Sequence, residues 1–74
     1  MNNYRRKLLE EARDLAEQAK NLIEAAKDEE QESFDNLPEG LQMSDRGQQM
    51  EENVSNLESC MDSLDEVISC LEEL

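Results

Sequence analysis

Residues 50–71 read MEENVSNLESCMDSLDEVISCL, and apolar side chains recur along this stretch at alternating intervals of four and three residues. Such spacing places the apolar side chains on one stripe of an α-helix, as in the seam of a coiled coil. Ser44 is a suitable N-cap, and we therefore predict a helix over residues 44–73. The predicted seam of this helix consists of Met50, Val54, Leu57, Met61, Leu64, Ile68 and Leu71.

The N-terminal part of the chain carries a second stripe with the same spacing. Residues 3–34 contain neither Gly nor Pro and are rich in Leu, Ala, Glu, Lys and Arg, which are strong helix formers. We predict a helix over this range. Its predicted seam consists of Leu8, Ala12, Leu15, Ala19, Leu22 and Ala26.

Residues 35–43 separate the two predicted helices and contain Pro38 and Gly40, which favour a loop. Two helices of similar length joined by a short loop predict an all-α fold, an antiparallel two-helix hairpin that forms one domain over residues 1–74. A fold-back centred on Pro38 pairs Leu8 with Ile68 and Leu15 with Met61. In this register every alanine of the first seam faces a large apolar residue.

An apolar row flanks each predicted seam. A single pair of helices buries little apolar surface, and these rows remain available after the hairpin closes. We therefore expect two hairpins to associate as a homodimer in the form of a four-helix bundle; the alternative is that one row binds a partner protein. The predicted self-association residues are Leu9, Ala16, Ile23, Cys60, Val67 and Leu74.

The charge of the chain is strongly negative and unevenly distributed. Twenty acidic residues oppose seven basic ones, for a formal net charge of −13. Arg46 is the only basic residue after Lys27. Such a surface repels nucleic acid and anionic lipid, and it attracts a protein with a basic surface. Carboxylates along a rigid helix also imitate the phosphates of a duplex. The predicted partner-binding residues are Glu51, Glu52, Glu58, Asp62, Asp65 and Glu66.

Catalytic and metal chemistry is poorly supported. The chain has no histidine, and its two cysteines, Cys60 and Cys70, lie about three helical turns apart without a neighbouring Lys. We expect no enzyme activity, no cofactor and no metal site. The chain also contains no membrane-spanning apolar run and no signal-peptide core, so we expect a cytoplasmic protein with reduced cysteines.

The segment DEEQESFDNLPEGLQ (residues 28–42), followed by SDRG (residues 44–47), resembles a group of small acidic proteins encoded in phages and prophages of Gram-positive bacteria. The resemblance covers the linker and, more loosely, the acidic repeats after Met50. The chain departs from the group at Gly40, where a small polar residue is expected, and in having two cysteines. The group contributes no catalytic or ligand residues. It implies a phage origin, and phage genes of this size often encode inhibitors of host defence or polymerase.

Two functions are therefore considered. The first is a phage-type inhibitor that binds a nucleic-acid-handling defence protein of the host, such as a CRISPR effector or a restriction factor, through the acidic surface. The second is a non-catalytic assembly module that forms an oligomer or docks on a larger phage protein through its apolar rows. Binding that weakens with salt distinguishes the first from the second.

Overall fold

The computed structural model describes all 74 residues, which form helices α1 (Asn3–Asp35), α2 (Glu39–Gln42) and α3 (Asp45–Glu72). Helices α1 and α3 pack side by side in opposite directions and make a rod 59 Å long. The all-helical prediction is confirmed. Both long helices begin and end within one residue of the predicted limits, and the predicted loop contains α2. None of the helices combines the length and apolar character needed to cross a membrane.

Side-chain caps define where the long helices begin. The Asn2 side-chain oxygen accepts a hydrogen bond from the Arg5 backbone N–H at 2.9 Å. Ser44 is the N-cap of α3, as its sequence position predicts, and its hydroxyl accepts from the Gly47 N–H at 3.3 Å. The same hydroxyl donates to the carbonyl oxygen of Leu41. Ser44 thus joins the end of α2 to the start of α3, and each cap satisfies a backbone donor that has no partner within its helix.

The turn between the long helices is closely packed around Gly47, which is buried. A β-carbon placed on Gly47 would lie 2.6 Å from the backbone carbonyl carbon of Gln42. Gln42 in turn donates a side-chain hydrogen bond to the carbonyl oxygen of Phe34 at 3.2 Å. Helix α2 is therefore held between the end of α1 and the first turn of α3.

The predicted seam of α3 is confirmed. Val54 and Ile68 are its most buried side chains, with 8% and 7% of their surface exposed. The other five predicted seam residues, Met50, Leu57, Met61, Leu64 and Leu71, are half-buried. Burial of these apolar side chains against α1 is the main stabilising contribution to the hairpin.

The predicted seam of α1 is wrong by one position. Leu8, Leu15 and Leu22 are exposed, with Leu22 keeping 72% of its surface in solvent. The row that faces α3 also follows the 4-3 spacing, but it starts one residue later and includes three cationic side chains. This row consists of Leu9, Arg13, Ala16, Lys20, Ile23, Lys27, Glu30 and Phe34, all half-buried.

The predicted register is also wrong. A fold-back centred on Pro38 places Arg13 opposite Ser63, whereas the structure pairs Arg13 with Glu72, nine residues further along α3 (72 against 63). The pairing of Lys20 with Asp65 shows the same displacement. Helix α2 explains part of this shift, because it packs against the start of α3 and moves the centre of the fold-back beyond Pro38. The first turns of α1 consequently extend past the end of α3.

Candidate interaction surfaces

Two columns of opposite charge run along one side of the hairpin. Basic residues recur every seven positions on α1, and acidic residues recur every seven positions on α3. Because seven residues make nearly two helical turns, each set lies along a line parallel to its helix. The basic column is Arg6, Arg13, Lys20 and Lys27, and the acidic column is Glu51, Glu58, Asp65 and Glu72.

The two columns meet in the middle of the rod. An Arg13 Nη atom lies 2.6 Å from Glu72 Oε1, and Lys20 Nζ lies 2.6 Å from Asp65 Oδ1. The hydrogen bond to Glu72 raises the pKa of Arg13 above its ordinary value. In the same way, the hydrogen bond to Asp65 raises the pKa of Lys20. Both contacts stabilise the charged form of the cation.

The basic column explains the rotation of α1. Arg13, Lys20 and Lys27 are half-buried, as expected of long side chains whose methylene stems lie along the seam. The charged groups of Arg13 and Lys20 pair with carboxylates of α3, whereas Lys27 pairs with Asp28 of its own helix. With these stems at the edge of the seam, Leu9, Ala16 and Ile23 face α3. Leu8, Leu15 and Leu22, each one position earlier in the sequence, are turned away from it.

The predicted partner-binding residues are all exposed but are not equivalent. Asp65 is paired with Lys20. Glu58 and Asp62 line a shallow groove together with Lys20 and Lys27. None of Glu51, Glu52, Glu58, Asp62 and Glu66 forms an ion pair within the protein. We call the side of the hairpin that carries the two charge columns the acidic face.

The opposite side of the hairpin carries an uncharged stripe from each long helix. On α1 this stripe consists of the residues that the sequence pattern predicted as the seam. Each of them comes one position before a residue of the observed seam. On α3 the stripe precedes the seam residues Met61 and Ile68 by one position. In an antiparallel pair, positions displaced in the same sense from the two seams emerge on the same side. We call this side the apolar face, and it consists of Leu8, Ala12, Leu15, Ala19, Leu22, Ala26, Cys60, Val67 and Leu74.

A hydrogen bond supports this assignment of sides. Asn53 comes one position before the seam residue Val54, just as Val67 comes one position before the seam residue Ile68. Asn53 therefore lies on the same side of the hairpin as Val67, which is the side of the apolar face. Its side-chain amide donates to Glu30 Oε2 of α1 at 2.8 Å. The bond crosses the seam close to the turn, beyond the apolar residues.

The apolar face is open to solvent. Leu15 keeps 57% of its surface exposed and Val67 keeps 47%. Of the predicted self-association residues, Cys60, Val67 and Leu74 are exposed on this face, whereas Leu9, Ala16 and Ile23 are half-buried in the hairpin seam. The α3 positions at the outer edge of the face, Asn56, Ser63 and Cys70, are also uncharged.

The apolar spacing of α1 predicts that Leu8, Leu15 and Leu22 lie inside the hairpin, which is wrong. The sequence feature that predicts their position correctly is the matched seven-residue spacing of the basic and acidic columns. Aligning these columns brings Arg13 and Lys20 towards α3, which leaves Leu15 and Leu22 on the outside.

The remaining chemistry-bearing groups do not cluster. Cys60 and Cys70 are both free thiols, and both are exposed. No group of three or more Cys, Asp or Glu side chains converges as a metal ion would require. No protein-family model, curated protein or solved structure matches this chain. Its function is therefore inferred from the two faces.

Proposed function

We propose that this protein is a non-catalytic interaction module that associates with a second copy through the apolar face, forming a four-helix bundle. The observation that carries the proposal is the exposure of Leu8, Leu15, Leu22 and Val67 along one uncharged side of the hairpin. Leucine side chains at seven-residue intervals on a helix are the usual means of packing against another helix. Contiguous exposed apolar surface of this kind marks interaction sites in soluble proteins.

The size of the apolar face suits a specific association. From Leu8 to Ala26 it runs about 27 Å along the rod, and the two helices together are about 20 Å wide. Two such faces in contact remove on the order of 1,100 Å² from solvent, which exceeds the roughly 1,000 Å² expected of a specific interface. Within the isolated hairpin only Val54, Ile68 and Gly47 are buried, so association would supply a larger core.

Analytical ultracentrifugation of the wild type and two glutamate variants tests this proposal. Leu22→Glu places a charge in the centre of the apolar face, and we expect the dimer to weaken at least about 100-fold because the carboxylate would be desolvated. Met43→Glu is the matched control, since Met43 keeps 79% of its surface exposed at the turn, away from the apolar face. This variant should dimerise like the wild type.

Circular dichroism measured on the same samples shows whether each variant keeps its helices. A helical, monomeric Leu22→Glu variant beside a dimeric Met43→Glu variant supports the proposal. A wild type that stays monomeric at about 100 µM contradicts it, because a specific interface should be populated at that concentration.

We infer a second candidate function from the acidic face, that of a phage-type inhibitor of a basic, nucleic-acid-handling host protein in the cytoplasm. The supporting observation is that Glu51, Glu52, Glu58, Asp62 and Glu66 are exposed without an ion pair. Their carboxylates are therefore free to bind lysine and arginine side chains of a partner, or to occupy a channel that normally holds a nucleic-acid backbone.

Affinity capture from a Gram-positive host lysate tests the inhibitor function. Glu52→Lys with Glu66→Lys reverses two carboxylates on α3, and Glu11→Lys with Glu32→Lys makes the same change in charge at two exposed positions on the outer side of α1. The function is supported if a nucleic-acid-handling protein is lost with the first pair and with high salt, but kept with the second pair. It is contradicted if capture is insensitive to both salt and the first pair.

A further inference from the structure

The two stripes of the apolar face are centred at the same level of the rod. The α1 stripe runs from Leu8 to Ala26 and has its midpoint at residue 17. The α3 stripe runs from Cys60 to Leu74 and has its midpoint at Val67. The ion pairs Arg13–Glu72 and Lys20–Asp65 place residue 17 level with about residue 68. The two midpoints therefore differ by about one residue, or ~1.5 Å along the axis.

From this common centre we infer that two copies stack with their apolar faces together and their rods antiparallel, related by a two-fold axis that crosses the rod at Val67. The inference rests on the proposed self-association and specifies its geometry. One axis at this level brings each stripe onto the same stripe of the partner, as an isologous interface requires. If the two midpoints lay at different levels, no single axis would align both stripes.

Side-chain sizes are complementary in this arrangement. The two-fold axis is level with residue 17 of α1. Leu8 therefore meets the partner's Ala26, Leu15 meets the partner's Ala19, and Leu22 meets the partner's Ala12. Each large side chain of α1 thus lies opposite a small one, which permits close helix approach without cavities. On α3, Val67 meets its own copy on the axis. With the rods parallel, α1 would pack on the partner's α3, and the same register would place Leu15 level with the partner's Cys70 and Leu22 level with the partner's Ser63. Side-chain size therefore fits both directions.

The distribution of charge favours antiparallel rods. Residues 28–45 at the turn contain seven carboxylates and no basic side chain. Parallel stacking would bring both turns together and oppose fourteen like charges, whereas antiparallel stacking moves the turns to opposite ends. It also places Arg5 level with the partner's Glu29 and Arg6 level with the partner's Asp28, where the acidic segment begins. The first turns of α1, which extend past the end of α3, thereby gain a charge-complementary surface.

Distances between labels on the two copies test the arrangement. Each of two single-cysteine variants, Val67→Cys and Met43→Cys, is made with Cys60→Ala and Cys70→Ser and carries a nitroxide label for pulsed electron resonance. With antiparallel rods, labels at position 67 should lie within about 20 Å of each other. Labels at position 43 lie about 35 Å from the axis on each side, so they should be ~70 Å apart.

Each outcome has a definite meaning. A short distance at position 67 with a long distance at position 43 supports the inference, provided that ultracentrifugation shows a dimer of unchanged helicity. Short distances at both positions indicate parallel rods, which overturns the arrangement and leaves the proposed self-association intact. A monomer without coupling between labels overturns both. Because Met43 lies away from the apolar face, its label reports the arrangement even if the label at position 67 weakens association.

Discussion

Gly47 of α3 packs directly on the backbone of Gln42, with the site of a β-carbon only 2.6 Å from the Gln42 carbonyl carbon. Because neither glycine has a positive φ, the glycine at position 47 is required by space and not by backbone conformation. We expect Gly47→Ala to destabilise the hairpin by about 2 kcal/mol, since the contact is with backbone that has little freedom to move. Urea unfolding followed by circular dichroism measures the effect.

Gly40→Ala is the control for this prediction. A β-carbon at Gly40 has no heavy atom within 4 Å, and the residue lies in α2. Alanine there should stabilise the protein by about 0.5 kcal/mol by restricting the unfolded chain. If both substitutions have similar effects, the tight contact between α2 and α3 is not part of the folded protein.

Ile68 and Leu22 are of similar size but should respond oppositely to truncation. Ile68 keeps 7% of its surface exposed and Leu22 keeps 72%. We expect Ile68→Ala to cost about 2–4 kcal/mol of folding free energy, because a buried side chain is removed from the seam. Leu22→Ala should change the stability of the monomer by less than about 0.5 kcal/mol.

The same pair of variants separates folding from association. Leu22→Ala should weaken dimerisation roughly tenfold, since it removes a large side chain from the apolar face. Unfolding is measured at low protein concentration, where association does not contribute to stability. A large loss of monomer stability in Leu22→Ala would mean that the predicted seam, and not the observed one, faces α3.

Lys20 should make the stability of the hairpin depend on alkaline pH. Asp65 raises its pKa above the ordinary 10.5 in the folded state, with smaller contributions from Glu17 and Glu24. A raised folded-state pKa contributes stability that is complete below the unfolded value and is lost as the pH rises through the folded value. The wild type should therefore be more stable than Lys20→Met near neutral pH, by a small margin because Asp65 is exposed and solvent screens the pair.

The difference between the wild type and Lys20→Met should decrease above about pH 10.5, where the unfolded lysine loses its proton. Thermal unfolding midpoints of the two proteins across this pH range measure the decrease. Asp65→Asn should behave like Lys20→Met if the ion pair is the cause. A difference between wild type and variant that is independent of pH would show that the ion pair of Lys20 with Asp65 is not its cause.

The sequence predicts α3 more accurately than α1 for a physical reason. Along α3 the seam stripe holds seven large apolar residues, whereas the flanking stripe holds only Cys60, Val67 and Leu74, so hydrophobic burial clearly favours the seam stripe. Along α1 two stripes follow the same 4-3 spacing: one holds Leu8, Leu15 and Leu22, and the other holds Leu9, Ala16 and Ile23. The first has more leucine, and apolar content alone therefore selects it. The structure selects the second, because only it brings Arg13 and Lys20 to the acidic column of α3.

The apolar spacing does not predict the register between α1 and α3. A seven-residue repeat packs almost equally well after a shift by one repeat, so apolar spacing alone leaves several registers open. The turn decides among them through the packing of Gly47 on Gln42 and the hydrogen bond from Gln42 to Phe34. These contacts join α2 to both long helices, and local turn signals such as Pro38 do not specify them. The acidic face, in contrast, follows directly from composition.

Salt should strengthen the dimer. Each chain carries a net charge of −13, so two copies repel each other, and mobile ions screen this repulsion. The attraction between Arg5 or Arg6 of one copy and the acidic segment of its partner is screened as well, but it involves fewer charges. We expect the dimer dissociation constant to fall roughly tenfold between about 20 mM and about 500 mM NaCl, as measured by ultracentrifugation.

The double variant Arg5→Gln with Arg6→Gln isolates the attraction between the two copies: it should weaken the dimer at low salt and have little effect at high salt. A wild-type dimer that instead dissociates as salt is added would mean that ion pairs, and not the apolar face, hold the two copies together.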